Sequence, residues 1–323
     1  MLRRRNLLAC AFCAAAAARP VAAQPDATPA PQRLMPYAPE ELQRRGARLA
    51  QHMPRLFADD LRARLPAPWP ERLHDVTLDL PAGEEGELPP LHFAAFTGAR
   101  LVQAPLRTLI FLEDLAGLWA HLERRRCGLE PAQRYMAMLF VKPADGERPP
   151  GPLAAFGLDE RIYEDSQVKD TSNKLLNSAV FFLLAHELGH IALDHWPGMV
   201  GLPAQRQERE ADAFALDACA AVRLAPLGLG MYFTAAAVIE GQQAGHPLTP
   251  ARLNALAMAL RERRRYFVDR GERDPTRAAQ AVTAVAGQLE QVGETLERPG
   301  LRVLLQRRAA ATGWADLRGS CPA

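Results

Sequence analysis

The sequence predicts an α+β chain that is predominantly helical, with a small mixed α/β region towards its N-terminus. Apolar residues at helical spacing dominate everything after residue 170, alternating or short apolar runs fall only between residues 73 and 141, and Pro- and Gly-rich stretches separate the two patterns. Composition agrees: 48% hydrophobic and 24% charged residues over 323 positions describe a globular chain, not a disordered or fibrous one.

The first element is an address. Arg3, Arg4 and Arg5 precede an apolar run over residues 7–18 and a small-residue exit at Val21-Ala22-Ala23, the layout of a signal peptide covering residues 1–23. An apolar run of about 12 residues is shorter than the ~20 a helix needs to cross the hydrocarbon core, so no transmembrane anchor is expected after cleavage. Arg4-Arg5 also fits a twin-arginine signal loosely, and the export route stays open. The expected location is periplasmic or secreted. Removing Arg3, Arg4, Arg5 and Arg19 leaves 35 basic against 37 acidic side chains, which gives no electrostatic reason to expect nucleic acid or an anionic membrane as partner.

Residues 24–39 hold five prolines among alanines and polar residues and read as a linker. Residues 40–150 form a mixed α/β region of unknown role. Leu42, Leu49, Met53, Leu56 and Leu61 predict a helix over 40–65, kinked by Pro54. Residues 73–80 alternate, 91–96 form a short apolar run, 106–126 are helical in pattern, and 135–141 read as a strand ending at Lys142-Pro143. Residues 144–152, rich in Pro and Gly, mark an internal boundary. Beyond it, residues 151–270 form the expected catalytic domain and 271–323 its C-terminal helices. Asp170 or Thr171 can cap a helix ending before Trp196-Pro197-Gly198, and further helices are expected over 206–223, 230–243, 250–269, 275–297 and 301–311. No apolar run after residue 23 reads as long enough to cross a bilayer. The basic run at 261–265, broken by Glu262, reads as a solvated helix face. Of the three cysteines outside the signal, Cys219 lies in an apolar helix and reads as a buried thiol, which leaves Cys127 and Cys321 as the more plausible pair.

The chemistry sits in two blocks. His186-Glu187-Leu188-Gly189-His190 has the His-Glu-x-x-His spacing, which on a helix puts both imidazoles on one face a turn apart, where they can hold one Zn²⁺ per chain. In a chain of this composition the pattern would arise by chance roughly 0.01 times. Phe181, Phe182, Leu183 and Leu184 place it on a helix that must be largely buried, where polar side chains need a compensating partner. Glu187, beside the first histidine, has no use in a purely structural site and reads as the general base of an enzyme. A catalytic zinc takes three protein ligands and leaves one position for water. Glu208-Arg209-Glu210-Ala211-Asp212 opens the next helix, with Glu208 and Asp212 sharing a face; Glu208 is assigned as third ligand and Asp212 as the acceptor that orients His186. Glu210, some 200° around, reads as an exposed charge, with a reversal of the two roles left open. His195 follows His190 by five residues rather than six and reads as a helix-end residue, and Asp194 as a solvated one.

The paired histidines and the Glu-x-x-Ala-Asp block resemble the gluzincin branch of zinc metallopeptidases. His246-Pro247 followed by Arg252 sharpens the likeness, because it resembles the His-Pro block after the zinc helices in the HtpX and CAAX-prenyl-protease family of endopeptidases. That resemblance covers about residues 170 to 260 and implies a zincin-like catalytic domain, peptide-bond hydrolysis by a zinc-activated water, His246 as oxyanion stabiliser and Arg252 as a structural or polar partner. It also implies a polypeptide substrate, unfolded or extended along an edge strand for which residues 135–141 are the expected platform, and a role in cell-envelope protein quality control. The gap between His190 and Glu208 is shorter than that family's and leaves open a neighbouring group such as the ImmA-like peptidases. The alternative is a non-catalytic periplasmic zinc-binding or scaffold protein that keeps the fold.

Overall fold

The computed structural model describes residues 36–82, 91–139, 149–196, 198–239, 246–269, 271–298, 304, 307, 311 and 313–321. The signal-peptide segment and most of the Pro-rich linker lie outside the described residues, as does most of the helix expected over 301–311. Helix α1 (Pro39–Arg55) starts on a proline whose missing N–H costs nothing at that position. Pro54 falls in its last turn, and the expected kink takes the form of a π-helical turn (Leu56–Leu61) followed by a 3-10 turn (Arg62–Arg64). Tyr37, just before α1, is buried and donates its hydroxyl to Asp114 Oδ2 at 2.9 Å.

After the short α2 (Trp69–Arg72) come β1 (Thr77–Asp79), β2 (Ala94–Phe96) and β3 (Leu101–Gln103), ordered β1-β3-β2. Leu78 pairs with Val102 in the parallel ladder, and Ala95 faces the same Val102 in the antiparallel one. Strands β1 and β2 fall inside the runs expected to be extended. Strand β3 was not anticipated, since three residues carry no readable period. Helix α3 (Leu106–Arg124) follows as expected. The strand expected over 135–141 is instead, as far as it is described, part of α4 (Glu130–Met138), which starts with Pro131 at its second position and buries Tyr135, Met136, Ala137 and Met138. A short apolar run is compatible with either conformation, and the proline-led start decides for helix. Helix α5 (Pro152–Ala155) leads into the central element.

Helix α6 (Ser166–Ala192) starts earlier than expected because Asp165, not Asp170, caps it, accepting from the amides of Gln167 at 2.8 Å and Val168 at 3.3 Å. Every residue from Ser178 to Ala192 is buried. Among the described helices, only α6 is long and apolar enough to cross a bilayer, which the sequence reading did not anticipate; 89% of its most apolar window is buried against the rest of the fold. It packs on α3, on β2 and β3, and on α7 (Leu202–Ala221) and α8 (Leu229–Ile239). Helices α9 (Pro250–Arg263) and α10 (Pro275–Leu296) complete the layer behind α7 and α8. One hydrophobic cluster runs from Tyr37 to Leu317 and includes side chains from all of these longer helices. Cys127 and Cys321 form a disulfide with their Cα atoms 5.9 Å apart, and Cys219 is a buried free thiol.

Candidate metal centre

Helix α6 carries His186, Glu187 and His190, and α7 carries Glu208, Glu210 and Asp212. The two helices approach closely at Gly189, where a Cβ would already lie 3.2 Å from the Phe214 side chain. That approach brings the histidines to the carboxylates. His246 stands in the turn ahead of α9, and Arg252 in its first turn, which Thr249 caps by accepting from the Arg252 amide at 3.2 Å.

His186 Nε2 and His190 Nε2 lie 3.1 Å apart, and Glu208 places one carboxylate oxygen 3.4 Å from the first and the other 3.5 Å from the second. Four protein donors, from His186, His190, Glu208 and His246, sit within 4.8 Å of one another, and this cluster can bind a metal ion. Donors about 2.0–2.1 Å from a tetrahedral ion stand roughly 3.3–3.4 Å apart along the edges, close to the separations among His186, His190 and Glu208. Burial supports the same fit. Glu187 is 1% exposed, and its Oε2 has no hydrogen-bond partner among the described residues. Among the described residues, Glu187, Glu208 and Asp212 place three carboxylates in this interior against the single guanidinium of Arg252, a balance that a divalent cation complements when the imidazoles are neutral.

The surrounding contacts orient these groups. Asp212 Oδ1 lies 2.9 Å from His186 Nδ1, which turns Nε2 towards the cluster. Arg252 donates to Asp212 from Nε at 2.7 Å and Nη2 at 2.8 Å, while its Nη1 reaches Glu208 Oε2 at 2.6 Å. Burial raises the Glu208 and Asp212 pKa values, but the Arg252 charge and the histidine hydrogen bonds more than reverse this and hold both below the usual carboxylate range. For His186, burial is likewise outweighed, here by Asp212 and Glu208, which raise its pKa to about 10. His190 lacks such compensation: burial and the neighbouring His186 push it down to about 2. His246, half-buried, sets Nδ1 at 3.1 Å from Glu208 Oε1 and Nε2 at 3.4 Å from Glu187 Oε1. Burial depresses its pKa, and the Glu187 and Glu208 charges raise it by more.

Every residue singled out for the site, His186, Glu187, His190, Glu208, Asp212, His246 and Arg252, thus lies in one contiguous network. Three further residues join it. His195 sets Nδ1 at 2.9 Å from His190 Nδ1, and Glu210 sits 3.2 Å from its far nitrogen, although the sequence marked them as a helix end and an exposed charge. His92, ahead of β2, lies close enough to His246 for that charge to add to the lowering that burial imposes on its pKa. A histidine five positions after a ligand carries no helical-face signal, and nothing local links residue 92 to residue 246.

No curated protein and no solved structure matches the chain. Residues 150–265 match the model of the family described as Peptidase U49, a stretch that contains His186, Glu187, His190, Glu208, Asp212, His246 and Arg252; over about a third of its length, the chain is similar to a family of peptidases.

Proposed function

We propose that the protein is an exported zinc-dependent endopeptidase that hydrolyses unfolded or extended polypeptide. The observation that carries the reading is the buried carboxylate of Glu187, one oxygen without a hydrogen-bond partner among the described residues, beside a cluster whose separations suit a tetrahedral ion. His186, His190 and Glu208 would hold the ion, which when bound supplies Lewis acidity at the scissile carbonyl and makes water a nucleophile near neutral pH. Glu187 takes the water proton and returns it to the leaving amine. His246, its ring directed at Glu187 and Glu208, donates to the developing oxyanion. Strand β2 replaces residues 135–141 as the platform for an extended peptide, because it stands at an edge of the sheet and packs on α6. The disulfide between Cys127 and Cys321 supports export, since such bonds persist in oxidising compartments.

A second reading rests on His246. A fourth protein donor within 4.8 Å can close the coordination shell, as in a structural zinc site or a non-catalytic zinc-binding protein. Elemental analysis and casein digestion of wild type, His186→Ala, Glu187→Gln and His246→Ala separate the two. A peptidase retains one zinc in Glu187→Gln and His246→Ala while proteolysis falls by about 10²-fold or more, and His186→Ala loses the metal. A closed site loses zinc with His246→Ala and shows no proteolysis in any form.

A further inference from the structure

The geometry points to His195 and Glu210 as a positioning pair that fixes the tautomer and ring orientation of His190, a role that rests on the metal site proposed above. The local fold explains how a residue five positions downstream returns to the helix. Helix α6 ends in a Schellman cap: the amide of Asp194, at φ +51°, bonds the Ile191 carbonyl at 3.3 Å, and the amide of His195 bonds the His190 carbonyl at 2.9 Å. The chain therefore folds His195 back over the last turn, where its ring is buried at 7% exposure with its centroid 4.9 Å from that of His190. The Gln207 amide, oriented to accept from the Trp196 amide at 2.9 Å and donate to its carbonyl at 3.2 Å, pins the next residue of the same backbone.

The proton positions follow in sequence. Glu210 accepts from His195 Nε2 at 3.2 Å, and Arg206 Nε holds the other Glu210 oxygen at 2.8 Å. With its proton on Nε2, His195 presents a bare Nδ1, 2.9 Å from His190 Nδ1. His190 must then carry its own proton on Nδ1, and its Nε2 lone pair is left facing His186 and Glu208. On the opposite side Asp212 Oδ1 lies 2.9 Å from His186 Nδ1. The His190 ring is thereby locked, through an intervening imidazole, in the tautomer that coordination through Nε2 requires, while a carboxylate stands beside Nδ1 of the His186 ring.

The test is zinc affinity, measured by competition with a chromophoric chelator, together with the visible spectrum of the cobalt-loaded protein, for wild type, His195→Phe, His195→Gln and Glu210→Ala. Phe keeps the ring but removes the acceptor, and zinc affinity is expected to fall 10- to 100-fold with shifted cobalt bands. Gln restores an acceptor for His190 and is expected to recover most of the affinity and the wild-type bands; Glu210→Ala, at a half-exposed position, is expected to weaken zinc several-fold. Wild-type affinity and spectrum in His195→Phe overturn the pair's role, and if that variant does not fold, wild-type affinity in Glu210→Ala does so. A wild-type chain that binds neither zinc nor cobalt overturns this inference and the proposed function together, whereas metal binding indifferent to His195 and Glu210 overturns the inference alone.

Discussion

At the scale of single residues, Arg252 ties the site together electrostatically. It is 5% exposed and satisfies two buried carboxylates at once, one assigned as a ligand and the other set against His186. Arg252→Leu strands both charges and is expected to cost about 3–5 kcal/mol in urea unfolding, with a matching loss of bound metal. Arg252→Lys should recover little, because an ammonium cannot reproduce the forked contact with Asp212 and the third contact with Glu208 together. The sequence made the residue types of this network legible: Glu208 and Asp212 share a face by their spacing, and Arg252 came from the resemblance. The sharing of Arg252 between the two acids was not legible, since it depends on the N-terminus of α9 lying against α7.

Among the elements, close approach and capping govern the outcome. Gly228, in the turn before α8, donates its amide to Ser178 Oγ at 2.8 Å, and a Cβ there would collide with the Leu175 carbonyl and the Ala179 backbone. Backbone cannot yield as a side-chain tip can, so Gly228→Ala is expected to destabilise by about 1–3 kcal/mol in thermal or denaturant unfolding. The start of α6 is sensitive to acid instead. The Gln167 amide lowers the Asp165 pKa, burial works against it, and Arg124 and the Val168 amide work with it. A depressed folded-state pKa means that the cap's contribution is complete above the unfolded value of about 3.9 and is lost as pH falls through the folded value. The melting-temperature difference between wild type and Asp165→Asn should therefore be largest near pH 6 and shrink towards pH 3. Helical elements were mostly legible because their period repeats over several turns. The strand expected at 135–141 failed for the converse reason, since seven residues without alternation cannot distinguish a strand from a buried helix.

Across the whole molecule, one tie closes the longest covalent loop. The disulfide joins Cys127, just beyond the end of α3, to Cys321, 194 residues later. Disulfides typically stabilise by about 2–4 kcal/mol through the unfolded state, and more as the closed loop lengthens. Paired Cys127→Ser and Cys321→Ser substitutions are expected to lower the melting temperature, and reductant should lower that of wild type but not of the double variant. Because one hydrophobic cluster extends from Tyr37 to Leu317, this loss should broaden into a single cooperative transition rather than release one end of the chain separately.

By itself the sequence determined the predominance of helix, the apolar character of α6 and the identity of the groups that can meet a metal, because periodicity and i, i+4 spacing are properties of a local backbone. Tertiary structure alone decided that Glu208, Asp212 and Arg252 interlock, that β2 lies at an edge of the sheet formed by the described residues, and that His195 reaches His190 while Glu210 reaches His195. Each of these depends on a chain reversal or on two helices meeting, and neither the angle of a reversal nor the partner of a packed face is written in the spacing of nearby residues.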